Sequence, residues 1–339
     1  MSVAAPIAPP APAAAPVATA THWRPLFLGV AVAYMAGLAF DQSHWWQLKP
    51  DYSFGWLVPF FVGYVLYERW PHLRECGAPA VPSPLPPWAQ RVLPVVATLV
   101  LALGLGIFSL GALYRAGSGA TQPGSLTMAA GFACLLPALA CLSQPAGGVR
   151  LDDGRVCDAR LRAAGLMLFP ALVWLVSAPL VSALENAISL YLLRKVVAVV
   201  FFVFDFFGYS LIREGNVLLL PKGQVGVADA CSGIRSLTGC LFAGSFLAAV
   251  YLRSFWQKAL LVALAMTFAF ATNLLRSLFL TGWAYAYGSD AIEGRLHDMT
   301  GYAVLGLTSL GLFCVLPLFK RANWERWLGA EDAKLPADA

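Results

Sequence analysis

The chain has 339 residues, of which 59% are hydrophobic and only 12% are charged, and its mean hydropathy is +0.69. Soluble domains carry roughly twice that charged fraction, so the composition excludes an ordinary soluble enzyme. The formal net charge of +5 is small and lies in short loops, where it indicates membrane topology and not a nucleic-acid-binding surface.

The N-terminal 22 residues are mostly Ala, Pro and Val, and proline at that density prevents both a helix and the apolar core of a signal peptide. We therefore expect a disordered tail over residues 1–22, a transmembrane domain over residues 23–321 and a cytoplasmic tail over residues 322–339. Apolar runs long enough to cross a bilayer, about 20 residues, recur along the chain. The predicted spans cover residues 25–40, 54–67, 92–113, 126–142, 164–184, 234–252, 259–281 and 301–319. This pattern predicts an all-α, polytopic transmembrane helical bundle.

Basic residues orient these spans, because Lys and Arg concentrate in cytoplasmic loops. The groups expected in the cytoplasm are Arg24, Arg69 with Arg74, the charged loop 150–162, Arg253 with Lys258, and Lys320 with Arg321. Loop 150–162 is then cytoplasmic, whereas the short segment 212–229, which precedes span 234–252, is external. The chain must therefore cross the membrane an odd number of times between them.

The span 164–184 supplies one crossing, so the apolar segment 187–209 must lie along the outer surface or re-enter. Arg194 and Asp205 would share one helix face there, which favours an interfacial helix. The run 196–207 is nevertheless apolar enough to insert, and a membrane span remains the alternative.

Among the seven cysteines, only Cys231 has chemically suggestive neighbours, because it lies in a small polar stretch directly before an apolar span. At a helix N-terminus, unpaired backbone N–H groups and the helix dipole favour the thiolate, which is the nucleophilic form. Arg235 would support a thiolate, whereas Asp229 would disfavour it. The alternative is a buried, inert thiol. The cysteine spacing fits no metal site and no cofactor motif is present, so we expect neither a metal nor an organic cofactor.

Two further polar residues accompany this cysteine. Arg276 lies about six residues inside an apolar span, where a charge costs at least a few kcal/mol unless it is paired or reaches the headgroups. It either extends to the outer headgroups or acts as a fixed cation for a developing oxyanion. His297 directly precedes the last span, which places it near the membrane surface, and it is otherwise an incidental loop histidine. The charge-based topology places Cys231, Arg276 and His297 on one face of the membrane.

Four stretches of the chain resemble the exosortase/archaeosortase family. Residues 227–236 are similar to the family's cysteine motif, residues 273–276 to its arginine motif, and His297 followed by Gly301 to its histidine motif. Residues 51–59 are similar to its Ser-His-Gly-x-Leu-Val-Pro stretch, with Phe54 where the family often has histidine. The resemblance spans about residues 25–320.

The resemblance implies a bacterial inner-membrane cysteine protease or transpeptidase with its active site on the periplasmic face. Its partners would be membrane lipid and the C-terminal tails of exported proteins, which carry a PEP-CTERM-type sorting signal, and such systems are often tied to exopolysaccharide production. Cys231 would form an acyl-thioester, with Arg276 preferred as charge stabiliser and His297 as proton carrier, although the opposite division remains open. The competing hypothesis is a polysaccharide polymerase, ligase or transporter in which Arg276 binds an anionic substrate.

Overall fold

The computed structural model describes residues 23–151, 154–226, 233–252, 254–292 and 294–332. The predicted N-terminal tail and Cys231 lie outside these residues. The described part forms nine α-helices: α1 Trp23–Leu48, α2 Val58–Cys76, α3 Pro87–Ser118, α4 Gln122–Leu142, α5 Ala159–Ser177, α6 Ser182–Phe206, α7 Gly233–Tyr251, α8 Phe255–Tyr287 and α9 Arg295–Asp332. Two 3₁₀ helices, Pro50–Leu57 and Ser289–Ile292, precede α2 and α9.

Two small antiparallel sheets complete the described part. Strands β1 (Gly148–Arg150) and β2 (Val156–Asp158) form a hairpin within the charged loop that the sequence places in the cytoplasm. Strands β3 (Ile212–Glu214), β4 (Val217–Leu220) and β5 (Gly223–Gly226) form a three-stranded sheet in that order. Gly215 has φ of 63° at the first central position of the β3–β4 turn, a conformation that glycine adopts without steric cost.

Seven helices within the described ranges are long and apolar enough to cross a membrane, which confirms the predicted polytopic bundle. They contain the segments 26–48, 87–118, 122–142, 159–177, 182–206, 255–287 and 299–319. Two predicted spans are not among them. The helix α2 carries several charges in its second half, from Glu68 onward, and α7 has 19 residues, of which Ser236–Tyr251 form its described apolar segment.

The helix α6, predicted to lie along the outer surface, has 25 residues and a mean hydropathy of 2.1, as a membrane span would. Its contacts nevertheless place both of its ends at the same end of the bundle. In its first turn, Glu185 accepts a hydrogen bond from Lys49, just after α1, at 2.6 Å. In its last turn, the Phe204 ring lies 6.4 Å from that of Tyr285, near the end of α8. The charge-based topology assigns both contacts to the outer side, so the interfacial position stays a prediction that these contacts support.

The core of the first half lies between α1, α2, α4 and α5, where Trp174, Phe132 and Leu136 are fully buried. The helix α3 packs on the outside of α4 through glycines. A Cβ at Gly131 would lie 2.4 Å from the backbone nitrogen of Phe108, so only glycine allows this approach. Close packing through small residues is how helices associate in lipid, where the hydrophobic effect between helices is absent.

Polar side chains at one end of this core tie α1 to α3 and α5, and α4 to α6. Gln42, which is fully buried, donates to the Trp174 carbonyl at 3.1 Å and accepts from the Ser177 hydroxyl at 2.7 Å. Gln122 Nε2 donates to Glu185 at 3.2 Å. The Arg115 guanidinium pairs with Asp41, a carboxylate that is only 1% exposed. A buried charge is tolerated only with such a partner.

We expect Arg115→Met to destabilise the bundle by about 3 kcal/mol, because it leaves the Asp41 carboxylate buried without its cation. The double variant Asp41→Leu with Arg115→Met removes both charges and should recover most of this loss. Thermal unfolding in detergent measures both. Equal destabilisation by the single and the double variant would show that the ion pair is not what holds this end together.

Candidate active site

A stripe of residues on α8 faces α9 and fixes how the two helices are rotated against each other. The Phe268 ring lies 3.4 Å from the position that a Cβ on Gly311 would take. One turn further along α8, the hydroxyls of Thr272 and Thr308 are 2.8 Å apart. Residues four apart share a helix face, so the next position on this stripe is Arg276.

Arg276 extends from this stripe to the first turns of α9. Its Nε–H donates to the Thr300 hydroxyl at 3.2 Å, and its Nη2 lies 3.7 Å from where a Cβ on Gly301 would be. The side chain is half-buried. The guanidinium is therefore directed toward a neighbouring helix, which favours the fixed-cation interpretation over simple extension to the headgroups.

His297 lies in the first turn of α9, which begins at Arg295. It precedes Thr300 by three residues and Gly301 by four, and these are the spacings at which helical residues share a face. The backbone of α9 thus places His297 one turn away from the residues that Arg276 contacts. The arginine and histidine positions therefore lie on adjacent turns of two packed helices, and a shared site stays a prediction.

Cys231 lies outside the described residues, two positions before α7 begins at Gly233. The position of Gly233 along the axis of the α7–α8 pair follows from the packing of these two helices. A Cβ on Gly244 would lie 2.6 Å from the Ala265 Cβ, so the antiparallel helices are in direct contact there. Eleven residues separate Gly244 from Gly233, and eleven separate Ala265 from Arg276. Each interval rises about 16 Å, so the start of α7 and Arg276 lie at similar heights along the helix pair.

The 3₁₀ helix Pro50–Leu57 lies against α7 on the same side of the molecule. The Thr238 hydroxyl donates to the Asp51 carbonyl at 3.0 Å. Phe54, at the position where the family often has histidine, stacks on Phe242 with ring centroids 5.1 Å apart. Phe242 lies nine residues beyond Gly233, so Phe54 contacts the middle of α7 and not its N-terminus.

Tyr52 is fully buried in this 3₁₀ helix, and its hydroxyl accepts the N–H of Leu180 at 3.0 Å. Burial raises the pKa of Tyr52 from 10.0 to about 12. The phenol therefore stays protonated at neutral pH and has a structural role. Tyr52 therefore supplies no proton-transfer group to the site.

Asn273 is a further polar residue of the site, one turn before Arg276. It is 4% exposed, and its Oδ1 accepts no hydrogen bond from the residues that the structure describes. A buried carbonyl oxygen without a donor costs about 1–3 kcal/mol. Such a group is retained where function requires it, which makes Asn273 a candidate for contacting a substrate.

A family model described as transmembrane exosortase matches residues 45–314. The chain belongs to this family. No curated protein and no solved structure matches the chain. The matched region contains Cys231, Arg276 and His297, and it leaves out the N-terminal tail and most of α1. The exosortase match confirms the family resemblance that the four sequence motifs indicate.

The sequence singles out Arg276 and His297 as candidates but not Thr300, which accepts the hydrogen bond from Arg276. Thr300 gives no separate signal, because threonine is common in apolar helices. Its position three residues after His297, on the same predicted face, was the available indication. Whether Cys231 joins Arg276 and His297 stays a prediction, since only the start of the helix that follows it is described.

We expect Asn273→Leu to unfold at the same temperature as the wild-type chain or higher, because it removes a buried acceptor without a donor at nearly constant volume. Thermal unfolding in detergent measures this. Thr267→Leu, at an exposed position of α8, is the control for adding leucine to the same helix. A clear loss of stability specific to Asn273→Leu would show that the amide is structural.

Proposed function

We propose that this exosortase is a membrane-embedded cysteine protease or transpeptidase that cleaves the C-terminal sorting signal of exported proteins. The observation that carries the proposal is the direction of Arg276, which reaches from α8 to the turn of α9 that follows His297. The calculated height of the α7 start, two residues after Cys231, supports a site shared by all three residues.

The Cys231 thiolate would attack the carbonyl carbon of the scissile peptide bond. The carbonyl oxygen becomes an oxyanion, the amine leaves with a proton, and an acyl-thioester remains on the cysteine. The free N–H groups at the start of α7 favour the thiolate. Water then resolves the thioester to give hydrolysis, or an amine resolves it to give transfer.

Arg276 would stabilise the oxyanion. A guanidinium stays protonated near neutral pH and presents several donors in a fixed plane, so its role requires no proton exchange. The hydrogen bond to Thr300 uses Nε–H. This bond orients the guanidinium plane toward α9.

His297 would carry the proton, because imidazole titrates near neutral pH. It would accept the thiol proton and deliver it to the leaving amine. Asn273 would hold the substrate main chain through its carbonyl oxygen. The competing polysaccharide-handling function requires Arg276 but not Cys231, so the two functions differ in their need for the thiol.

The first test is cleavage of an exported reporter protein that carries a PEP-CTERM-type tail, expressed in cells with the exosortase. We expect Cys231→Ala to abolish cleavage, because the acyl-thioester cannot form. Cys240→Ala, a buried cysteine nine residues further along the chain, is the matched control and should cleave normally. Continued cleavage by Cys231→Ala would refute the cysteine mechanism.

The second test separates the charge of Arg276 from its geometry. Arg276→Lys keeps the charge but loses the planar donor set, and we expect reporter cleavage to fall about 100-fold.

Thr300→Val removes the acceptor of Nε–H and should reduce cleavage about tenfold, whereas Thr300→Ser retains the hydroxyl and should remain active. Equal activity of the valine and serine variants would show that Thr300 does not orient the guanidinium.

A further inference from the structure

The sheet β3–β4–β5 ends five residues before Cys231, and its register determines which backbone groups stay unpaired. Leu220 and Gly223 flank a two-residue turn, so they form a hydrogen-bonded pair, and bonded and non-bonded pairs alternate along an antiparallel ladder. Leu218 and Val225 are then the next bonded pair. Gln224 and Gly226 fall at non-bonded positions, so their N–H and C=O groups are directed away from β4.

The other hairpin gives the same result independently. Glu214 and Val217 flank the β3–β4 turn and form its first bonded pair, which makes Ile212 and Leu219 the next. Val217 and Leu219 therefore bond to β3, which agrees with their non-bonded positions opposite β5. Both registers therefore agree that the N–H and C=O groups of Gln224 and Gly226 are directed to the side of β5 that faces away from β4, called here the free edge.

This edge carries two unpaired residues about 7 Å apart. Within the described ranges, neither Gln224 nor Gly226 makes a backbone hydrogen bond outside the sheet. The Gln224 side chain is exposed, and Gly226 has no side chain that would keep a second strand away. On the opposite edge, only Arg213 of β3 is at a non-bonded position.

One face of the sheet packs on α6 and α8, which fixes the edge in place. Val225 is 2% exposed and belongs to a cluster with Ala284 of α8. The Lys222 ammonium donates to the Ala286 carbonyl at 2.7 Å, ten residues beyond Arg276 on the same helix. The strand β5 thus connects a fixed point near the end of α8 to the segment that contains Cys231.

We propose that β5 binds the substrate as a fourth strand, through the backbone groups of Gln224 and Gly226. The occupant is the extended part of the exported protein that precedes its C-terminal transmembrane helix, so this inference rests on the proposed function. Strand addition takes its affinity from main-chain hydrogen bonds. Binding would therefore tolerate different side chains outside the recognised motif, and it would align the scissile bond with the chain that leads to Cys231.

Proline substitution tests this inference, because proline removes one N–H group from the free edge and none from the β4 ladder. We expect Gln224→Pro to raise the KM for the PEP-CTERM-type reporter about tenfold with kcat nearly unchanged, which corresponds to about 1.4 kcal/mol. Gln224→Ala keeps the N–H and should behave as wild type. Arg213→Pro makes the same change on the opposite edge and should also behave as wild type. Equal KM values for Gln224→Pro and Gln224→Ala would overturn the proposal.

Crosslinking keeps the proposal testable if the proline variant does not accumulate in membranes. A photo-crosslinking amino acid at position 224, in a chain that also carries Cys231→Ala to prevent turnover, should capture the reporter. The same amino acid at position 213 should not, and capture at 213 alone would overturn the proposal, as would capture at neither position. Cleavage by Cys231→Ala refutes the proposed function itself, whereas an inactive Cys231→Ala together with an unaffected Gln224→Pro refutes only strand addition.

Discussion

A guanidinium held within an apolar helix pair is the constraint on which the second half of the chain depends. A charge at that depth is costly in hydrocarbon unless it finds hydrogen-bond acceptors. The chain places an acceptor on the neighbouring helix, where the Thr300 hydroxyl receives the Nε–H of Arg276. The contact between Thr272 and Thr308 sets the rotation of the same two helices. One packing arrangement therefore both accommodates the charge and brings His297 within a turn of it.

The first half of the chain packs against the helices of this arrangement and fixes their position. Buried polar pairs such as Gln42 with Ser177 fix the end of α1 against α5. The 3₁₀ helix that follows then holds α7 through the hydrogen bond from Thr238 to Asp51. Phe54 replaces a histidine common in the family and contributes ring packing only. A helix terminus that positions the proposed nucleophile would need such a fixed neighbour, because the first turn of a helix has N–H groups without partners inside the helix and frays easily.

Hydropathy predicted most of the fold, because long apolar runs in lipid can form little else than helices. Hydropathy alone does not decide which of these helices cross the membrane. The helix α7 packs against α8 through Gly244, and α6 has the composition of a span although both of its ends contact the same end of the bundle. The sequence indicated Arg276 and His297 as candidate site residues, because polar residues are rare in or next to apolar segments. The Lys49–Glu185 pair joins residues 136 apart in sequence, and no local pattern reveals such a partner.

On the proposed function, the spacing of two charges on α8 would set where along a substrate this protein acts. Arg276 lies 18 residues beyond Lys258, a rise of about 27 Å, which nearly equals the hydrocarbon thickness of about 30 Å. With Lys258 at the cytoplasmic boundary that the charge pattern predicts, the guanidinium would lie just inside the opposite boundary of the hydrocarbon. A substrate anchored by its own transmembrane helix would then present its cleavable bond only within a few residues of where that helix leaves the lipid. The enzyme would then select substrates by the number of residues between the cleavage motif and the transmembrane helix, as well as by the sequence of the motif.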